Sequence, residues 1–185
     1  MLKLFLTNVV LETTDSDKHW YVVLTRTNSE RKVRDYFQLQ EVDTFLPVQN
    51  RVIEREGKRI ERERLLLPRM VFVHISRQEM AAVRSTLNVY DFLRDRSTGA
   101  PTCIPDAQMA DFRYMLDYSQ DQVILTGESI PKGTRVVVAK GDLQGLRGEL
   151  VRYNNKYHIL VRIDMFGSAM VTICLLYTSP SPRDS

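Results

Sequence analysis

The stretch "VVVAKGDLQGLRGELVRY", residues 136–153, carries Gly141, Gly145 and Gly148, with Lys140 just before the first of them. Two readings compete for it. A phosphate-cradling loop ends in Gly-Lys-Ser/Thr and runs into a helix whose N-terminus meets the anion. Here Gly148 is followed by Glu149 and then by "LVRY", a strand pattern. The dinucleotide fingerprint also requires a helix, at a different glycine spacing. The better-supported reading is a strand-to-strand turn. Val136 and Val138 before it and Leu150 after it alternate in the manner of strand residues. Gly141 and Gly148 then supply positive φ or close backbone approach at the ends of the turn, and Gly145 lies in the loop between them.

Working outward, "TRVVVAK", "GELVRYN", "KYHILVRIDM" and "SAMVTI" make the region from 131 to 173 all-β, with Asn154-Asn155 as a tight hairpin signal. Several short strands in so few residues suggest a small barrel. The segment 174–185, "CLLYTSPSPRDS", leaves the strand pattern for Ser/Pro-rich sequence. It reads as the translation of a sequencing-library adapter joined in frame, which would make Cys174 foreign and the barrel truncated. A natural disordered tail is the alternative. Upstream, 118–130 loses periodicity and reads as a linker.

The region 19–117 has a different rhythm. "WYVVLT" (20–25) is a strand. "TNSERKVRDYFQLQ" is a helix, with Thr27 and Glu30 at capping-box spacing and Val33, Tyr36 and Phe37 on its buried stripe. "TFLPV" (44–48) is a short strand with Pro47 at an edge or bulge. "RVIEREGKRIERER" (51–64) reads as an exposed charged hairpin around Gly57 or as a solvated helix; the central glycine favours the hairpin. "LLLPRMVFVHI" (65–75) ends in an apolar strand. Ser76 and Glu79 form a second capping box before a helix with Met80, Val83 and Leu87 on one face. "YDFLRD" (90–95) is a strand. Asp106 caps a third helix that turns Met109, Phe112 and Leu116 inward. The main elements run strand, helix, strand, strand, helix, strand. That is the split β-α-β, ferredoxin-like order with one helix appended. The expected fold class is therefore α+β, a two-layer sheet-and-helix domain followed by a small all-β barrel.

The chain has 185 residues, 43 % of them hydrophobic, and a net charge of +3 from 26 basic and 23 acidic residues. That balance is too mild for wholesale coating of nucleic acid, though a local basic face is compatible with it. Cys103 and Cys174 are far apart, and His19, His74 and His158 are scattered. No zinc site, disulfide framework, metal or cofactor is expected, and nothing in the spacing suggests an enzyme. No run reaches the ~20 apolar residues of a membrane span. Residues 1–18 read as a loose extension or a misassigned start.

Val-x-Val-x-x-Gly-x-x-x-Gly-x-x-Gly-x-Leu, from 136 to 150, resembles the KOW motif of NusG-type transcription factors and some ribosomal proteins. "WYVVLTRTNSERKVRDYF" and "LLLPRMVFVHI" resemble the two best-marked segments of the NusG amino-terminal domain. The resemblance spans roughly residues 19–173. The charged hairpin before "LLLPRMVFV" is similar to that of specialised paralogues of the RfaH and UpxY kind.

The resemblance implies a non-enzymatic cytoplasmic factor, monomeric, that rides on elongating RNA polymerase and promotes processive antitermination. A housekeeping factor and a ribosome-associated KOW protein are the rival readings. By position, Leu24, Leu67, Pro68, Met70 and Phe72 would grip the polymerase clamp helices. Arg26, Lys32, Arg77 and Arg84 would lie near the non-template DNA strand, although "RQEMAAVR" replaces the base-reading His-Thr-Thr of such relatives. Lys140, Gly141, Gly145, Arg147 and Gly148 carry the KOW motif, whose barrel in relatives contacts Rho or a ribosomal protein. An independent argument points to a partner: Val71 and Val73 alternate with Met70 and Phe72, so both faces of that strand are apolar, where a lone two-layer domain wants one polar face.

Overall fold

The run HWYVVLT contains no turn former and is rich in β-branched and aromatic residues. It forms β1 (His19–Thr25), the strand at the centre of the first half of the chain. A computed structural model describes residues 18–55, 57–163, 167–172 and 178–180. After β1 come α1 (Glu30–Leu39), β2 (Asp43–Phe45), β3 (Val48–Arg55), β4 (Lys58–Leu65) and β5 (Met70–Ile75). Then follow α2 (Met80–Arg84), β6 (Val89–Phe92), β7 (Cys103–Ile104) and α3 (Asp106–Tyr118). The rest is β8 (Ile124–Thr126), β9 (Thr134–Val138), β10 (Arg147–Tyr153), β11 (Lys156–Ile163), β12 (Gly167–Thr172) and β13 (Thr178–Pro180).

The first sheet has the order β2-β5-β1-β6, antiparallel throughout, with β7 also pairing β1. This is the ferredoxin-like arrangement expected from the element order, with β3–β4 inserted as a separate two-stranded ribbon. The charged segment is thus a hairpin, longer than its most charged part. Its turn passes through Gly57 at φ +73°, a conformation that glycine adopts without penalty.

The expected two layers are in fact three. Tyr21, Val23, Val71, Val73 and Ile75 pack with Val33 and Phe37 of α1 and Val83 of α2. Trp20, Val22 and Phe72 point to the other face, where Met109, Phe112, Met115 and Leu116 of α3 cover them. The appended helix is therefore what closes the second apolar face, and the surplus of outward hydrophobicity does not by itself demand an external partner.

Several local expectations are corrected. Tyr36 is 47 % exposed and Leu87 81 % exposed, so neither lies on a buried stripe. α2 ends at Arg84, before Leu87 could turn inward. The "TFLPV" strand breaks in two: β2 stops at Phe45 and β3 starts at Val48, in a different ladder. Asp106 is the first helical residue of α3 rather than its cap. Its carboxylate still suits the positive end of the helix dipole. At Ser76 the capping box is half made: the Glu79 carboxylate accepts from the Ser76 backbone N–H at 2.7 Å and from its hydroxyl at 2.8 Å.

The second sheet runs β13-β9-β10-β11-β12-β8. β8 comes from the segment read as linker, and β13 from the segment read as tail. β13 adds to the open edge of β9 through backbone pairing, which needs no particular side chains. Residues 1–17 and the remainder of the tail lie outside the described residues. Asn154 and Asn155 have φ of 47° and 62°, the pair of positive values that a tight hairpin turn of the I′ kind requires. Of the three motif glycines, Gly141 and Gly145 both sit at φ +90°. Gly148 has another reason: a Cβ there would stand 2.7 Å from Ile159 Cγ1 and 2.8 Å from the Leu160 carbonyl oxygen.

Gly148→Ala is expected to lower stability by about 1–3 kcal/mol through overpacking against the β11 backbone. Gly141→Ala, in open space, should cost only the left-handed backbone penalty of about 1–2 kcal/mol. Equilibrium urea unfolding of both variants measures the two costs.

Candidate functional site

The register of β1 against β5 sets Trp20 opposite His74, Val22 opposite Phe72 and Leu24 opposite Met70. Directly opposed residues share a face, so these three pairs form one apolar strip. β2 extends it by placing Phe45 opposite Phe72. The floor of the strip is aromatic. Phe72 lies 5.9 Å from Phe45 and 6.1 Å from Phe112, and Phe45 lies 5.8 Å from Phe112, ring centre to ring centre.

α3 is fixed to this floor by charge as well as by packing. The Arg113 guanidinium stands 5.4 Å from the ring centres of both Trp20 and Phe45 and reaches Asp43 at 3.4 Å. Trp20 stacks on His74 at 5.0 Å, and His74 Nε2 is 3.7 Å from the Asp106 carboxylate. Sequence reading passed over this cluster. Its one signal is Arg113 itself, a cation set between the apolar residues Phe112 and Met115 of α3.

Exposure rises toward the end of the strip. Phe72 and Val22 are fully buried; Leu24, Leu67 and Met70 are half-buried; Pro68 is exposed. Leu67, Met70 and Phe72 belong to one apolar cluster, and Leu24 faces Met70 across the ladder. Phe72 therefore offers no surface to a partner in this arrangement. It packs the floor on which the others stand.

The turn that presents Leu67 and Pro68 is held from below. Arg69 has φ +65°, its N–H donates to the Glu30 carboxylate at 2.8 Å, and its carbonyl accepts from the Thr25 N–H at 2.9 Å. Glu30 is thus no capping residue. It is 3 % exposed and ties the start of α1 to this turn.

The barrel lies against α3 on its other side. Tyr114 Oη donates to the Gln144 carbonyl at 2.7 Å, and Arg147 stands 3.8 Å from Asp111. Leu143 and Leu146, from the glycine-rich loop, are buried in the same apolar cluster as Phe72 and Phe112. Burial pushes the Asp111 carboxyl above its ordinary range, and Arg147 pulls it back. Glu149 is held below its range chiefly by its hydrogen bonds to Arg162 at 2.8 Å. The opening glycines thus let a loop fold beside α3.

Of the basic residues assigned to DNA, Arg26 follows β1, Lys32 is on α1 and Arg77 precedes α2, all three exposed, and Arg84 is paired with Asp91 at 3.4 Å. Lys140 is exposed on the barrel loop, whereas Arg147 is engaged with Asp111. Among the described residues no group of three or more His, Cys, Asp or Glu side chains is placed to hold a metal ion. No helix there is long and apolar enough to cross a membrane.

A family model described as "Transcription termination factor nusG" matches residues 18–113, just over half of the chain. The chain belongs to the NusG family. Its NusG match takes in the first sheet, the β3–β4 ribbon and most of α3. Among solved structures, "Domain interaction in Thermotoga maritima NusG" is 18 % identical, covering 90 % of this chain and 98 % of that one at a TM-score of 0.48. "Crystal Structure of MjSpt4:Spt5 complex conformation A" is 12 % identical over 88 % of this chain and 97 % of that one, with a TM-score of 0.29. Conformation B of the same complex is 14 % identical over 83 % and 97 %, at 0.30. No curated protein matches the chain.

Phe112→Ala should cost about 3–5 kcal/mol, since it removes the shared wall of Phe45 and Phe72; thermal and urea unfolding test this. A pH dependence follows from Glu149. Its folded pKa lies below its unfolded one, so its stabilising contribution is whole above the unfolded value of about 4.3 and is lost as pH falls through the folded value. Arg162→Gln should flatten that part of the acid-side decline in unfolding free energy measured between pH 6 and 3.

Proposed function

We propose that this chain rides on elongating RNA polymerase, seats the clamp helices of the largest subunit against Leu24, Leu67, Pro68 and Met70, and promotes processive antitermination on selected operons in the cytoplasm. The observation that carries the reading is the half-buried apolar margin at the end of an otherwise sealed strip. A rigid floor of Trp20, Phe45, Phe72 and Phe112 holds that margin in place. Pre-organised anchors of this kind lose little entropy on binding, and a few of them supply most of the energy of an interface. Met70 suits such a seat because its thioether chain adapts to an irregular helical tip.

Grip on the clamp acts as a coupling free energy. A factor that binds the closed, elongating conformation more tightly than the paused one shifts polymerase toward elongation by that difference in affinity. On this reading Arg26, Lys32, Arg77 and Arg84 stand at the side of the exposed non-template strand. The barrel is left to meet Rho or a ribosomal protein through Lys140, Arg152 and Lys156, all exposed.

The floor and the margin call for different experiments. An acid at Phe72 would bury a charge and unfold the domain, so its failure to bind would be uninformative. Leu67→Asp with Met70→Asp alters only half-buried positions. That pair is expected to weaken binding to core polymerase at least a hundredfold, measured by biolayer interferometry, with circular dichroism unchanged. Retained affinity would remove the site. Pause lifetimes on a cognate template should shorten with the wild-type protein, and unaltered lifetimes would remove the antitermination role.

A further inference from the structure

Where α3 meets the barrel the two leave a cleft of about 460 Å³ between them, within the size range of small-molecule sites. Ala107 and Asp111 stand on the α3 wall. Arg135 of β9, Arg147 and Glu149 of β10 and Arg162 of β11 stand on the barrel wall. Arg162 and Glu149 occupy each other. Arg162 Nε and Nη2 each donate to a Glu149 carboxylate oxygen at 2.8 Å, and the Gly133 N–H adds a third bond at 2.9 Å.

Arg135 and Arg147 keep donors to give. Arg135 is exposed, and its side chain makes no hydrogen bond or ion pair among the described residues. Arg147 reaches the Asp111 carboxylate at 3.8 Å, an ion-pair distance beyond hydrogen-bond reach. The β9–β10 register sets Arg135 opposite Glu149 and Val137 opposite Arg147. The two arginines are therefore diagonal neighbours on one face, roughly 7–8 Å apart at the backbone. Two guanidinium forks at that spacing can converge on one phosphate group. Across the cleft, the Asp111 side chain is 22 % exposed and accepts no hydrogen bond among the described residues. Burial holds its carboxyl above the ordinary range, which lowers the cost of an anion entering beside it.

We propose that this cleft binds a small phosphorylated polyol of the sugar-phosphate class, with its phosphate on Arg135 and Arg147 and its hydroxyls on Asp111 and Glu149. The mixture of charges selects this class. A bare phosphate or a dicarboxylate would meet two carboxylates and have no donor to offer them. A polyol brings O–H donors. Asp111 can accept several of them, and Glu149 retains acceptor capacity beyond the three bonds it already makes. A nucleotide fits less well, since among the described residues no aromatic ring lines the cleft for a base to stack on. A ligand held from both walls also ties α3 to β9 and β10. The proposal stands whether or not the chain grips polymerase.

The test is isothermal titration calorimetry of the full chain with glucose 6-phosphate, glucose 1-phosphate and ribose 5-phosphate, and with glucose and inorganic phosphate alone. At least one ester is expected to bind about tenfold or more tightly than either glucose or inorganic phosphate. Arg135→Gln should weaken that ester by about tenfold or more, the worth of a charged hydrogen bond. Arg135 is exposed and unpartnered among the described residues, so the melting temperature should not move. Asp111→Ala should bring the affinities for the ester and for inorganic phosphate together, because it removes a hydroxyl acceptor and a repelling charge at once. Arg96→Gln, at an exposed position outside the cleft, should change affinity less than about twofold. The proposal is overturned if none of the three esters binds by about 10 mM, or if Arg135→Gln binds as the wild type does. It is overturned equally if Arg96→Gln weakens binding as much as Arg135→Gln. Inorganic phosphate binding as tightly as every ester would show an adventitious ion only and overturn it. A short single-stranded RNA that binds through Arg135 more tightly than any ester would overturn the assignment to a small molecule.

Discussion

The β1–β5 ladder is apolar on both faces, and the rest of the molecule is arranged around that constraint. Trp20, Tyr21, Val22 and Val23 are consecutive and all buried. A strand sends successive side chains to opposite sides, so no single layer of helices can cover the four of them. α1 and α2 take one side and α3 the other. Each large side chain so covered contributes about 1.5–3 kcal/mol. The third layer is therefore required for stability, and the end of the strip that α3 leaves partly open, at Leu24, Leu67 and Met70, stays half-buried.

That division lets a sealed core and a half-buried margin share one strand. Phe72 and Met70 lie two residues apart on the same face of β5. One is sealed by Phe45 and Phe112 and the other stands at the margin. The buried carboxylate of Glu30 serves the same division. An acid taken out of water needs a donor, and it finds one in the Arg69 N–H. Arg69 is thereby held in a left-handed conformation that a non-glycine residue does not favour. The turn carrying Leu67 and Pro68 inherits its shape from a contact that spans nearly the whole of α1, β2 and the ribbon.

What was legible in the sequence was local. Strand and helix order, the Asn154-Asn155 turn and the need for glycine near 141–148 all follow from neighbours within a few residues, and the ferredoxin-like topology follows from the order alone. What was not legible depended on distant partners. Glu30 sits at a spacing that reads as a helix cap, and only the folded chain brings Arg69 to it. Arg113 looks like any helical cation until β1 and β2 place two rings and a carboxylate around it. Of the proposed seat, Leu24, Leu67 and Met70 could be named by position. That Phe72 faces α3 rather than solvent could not, because alternation shows which residues share a face and not what covers it.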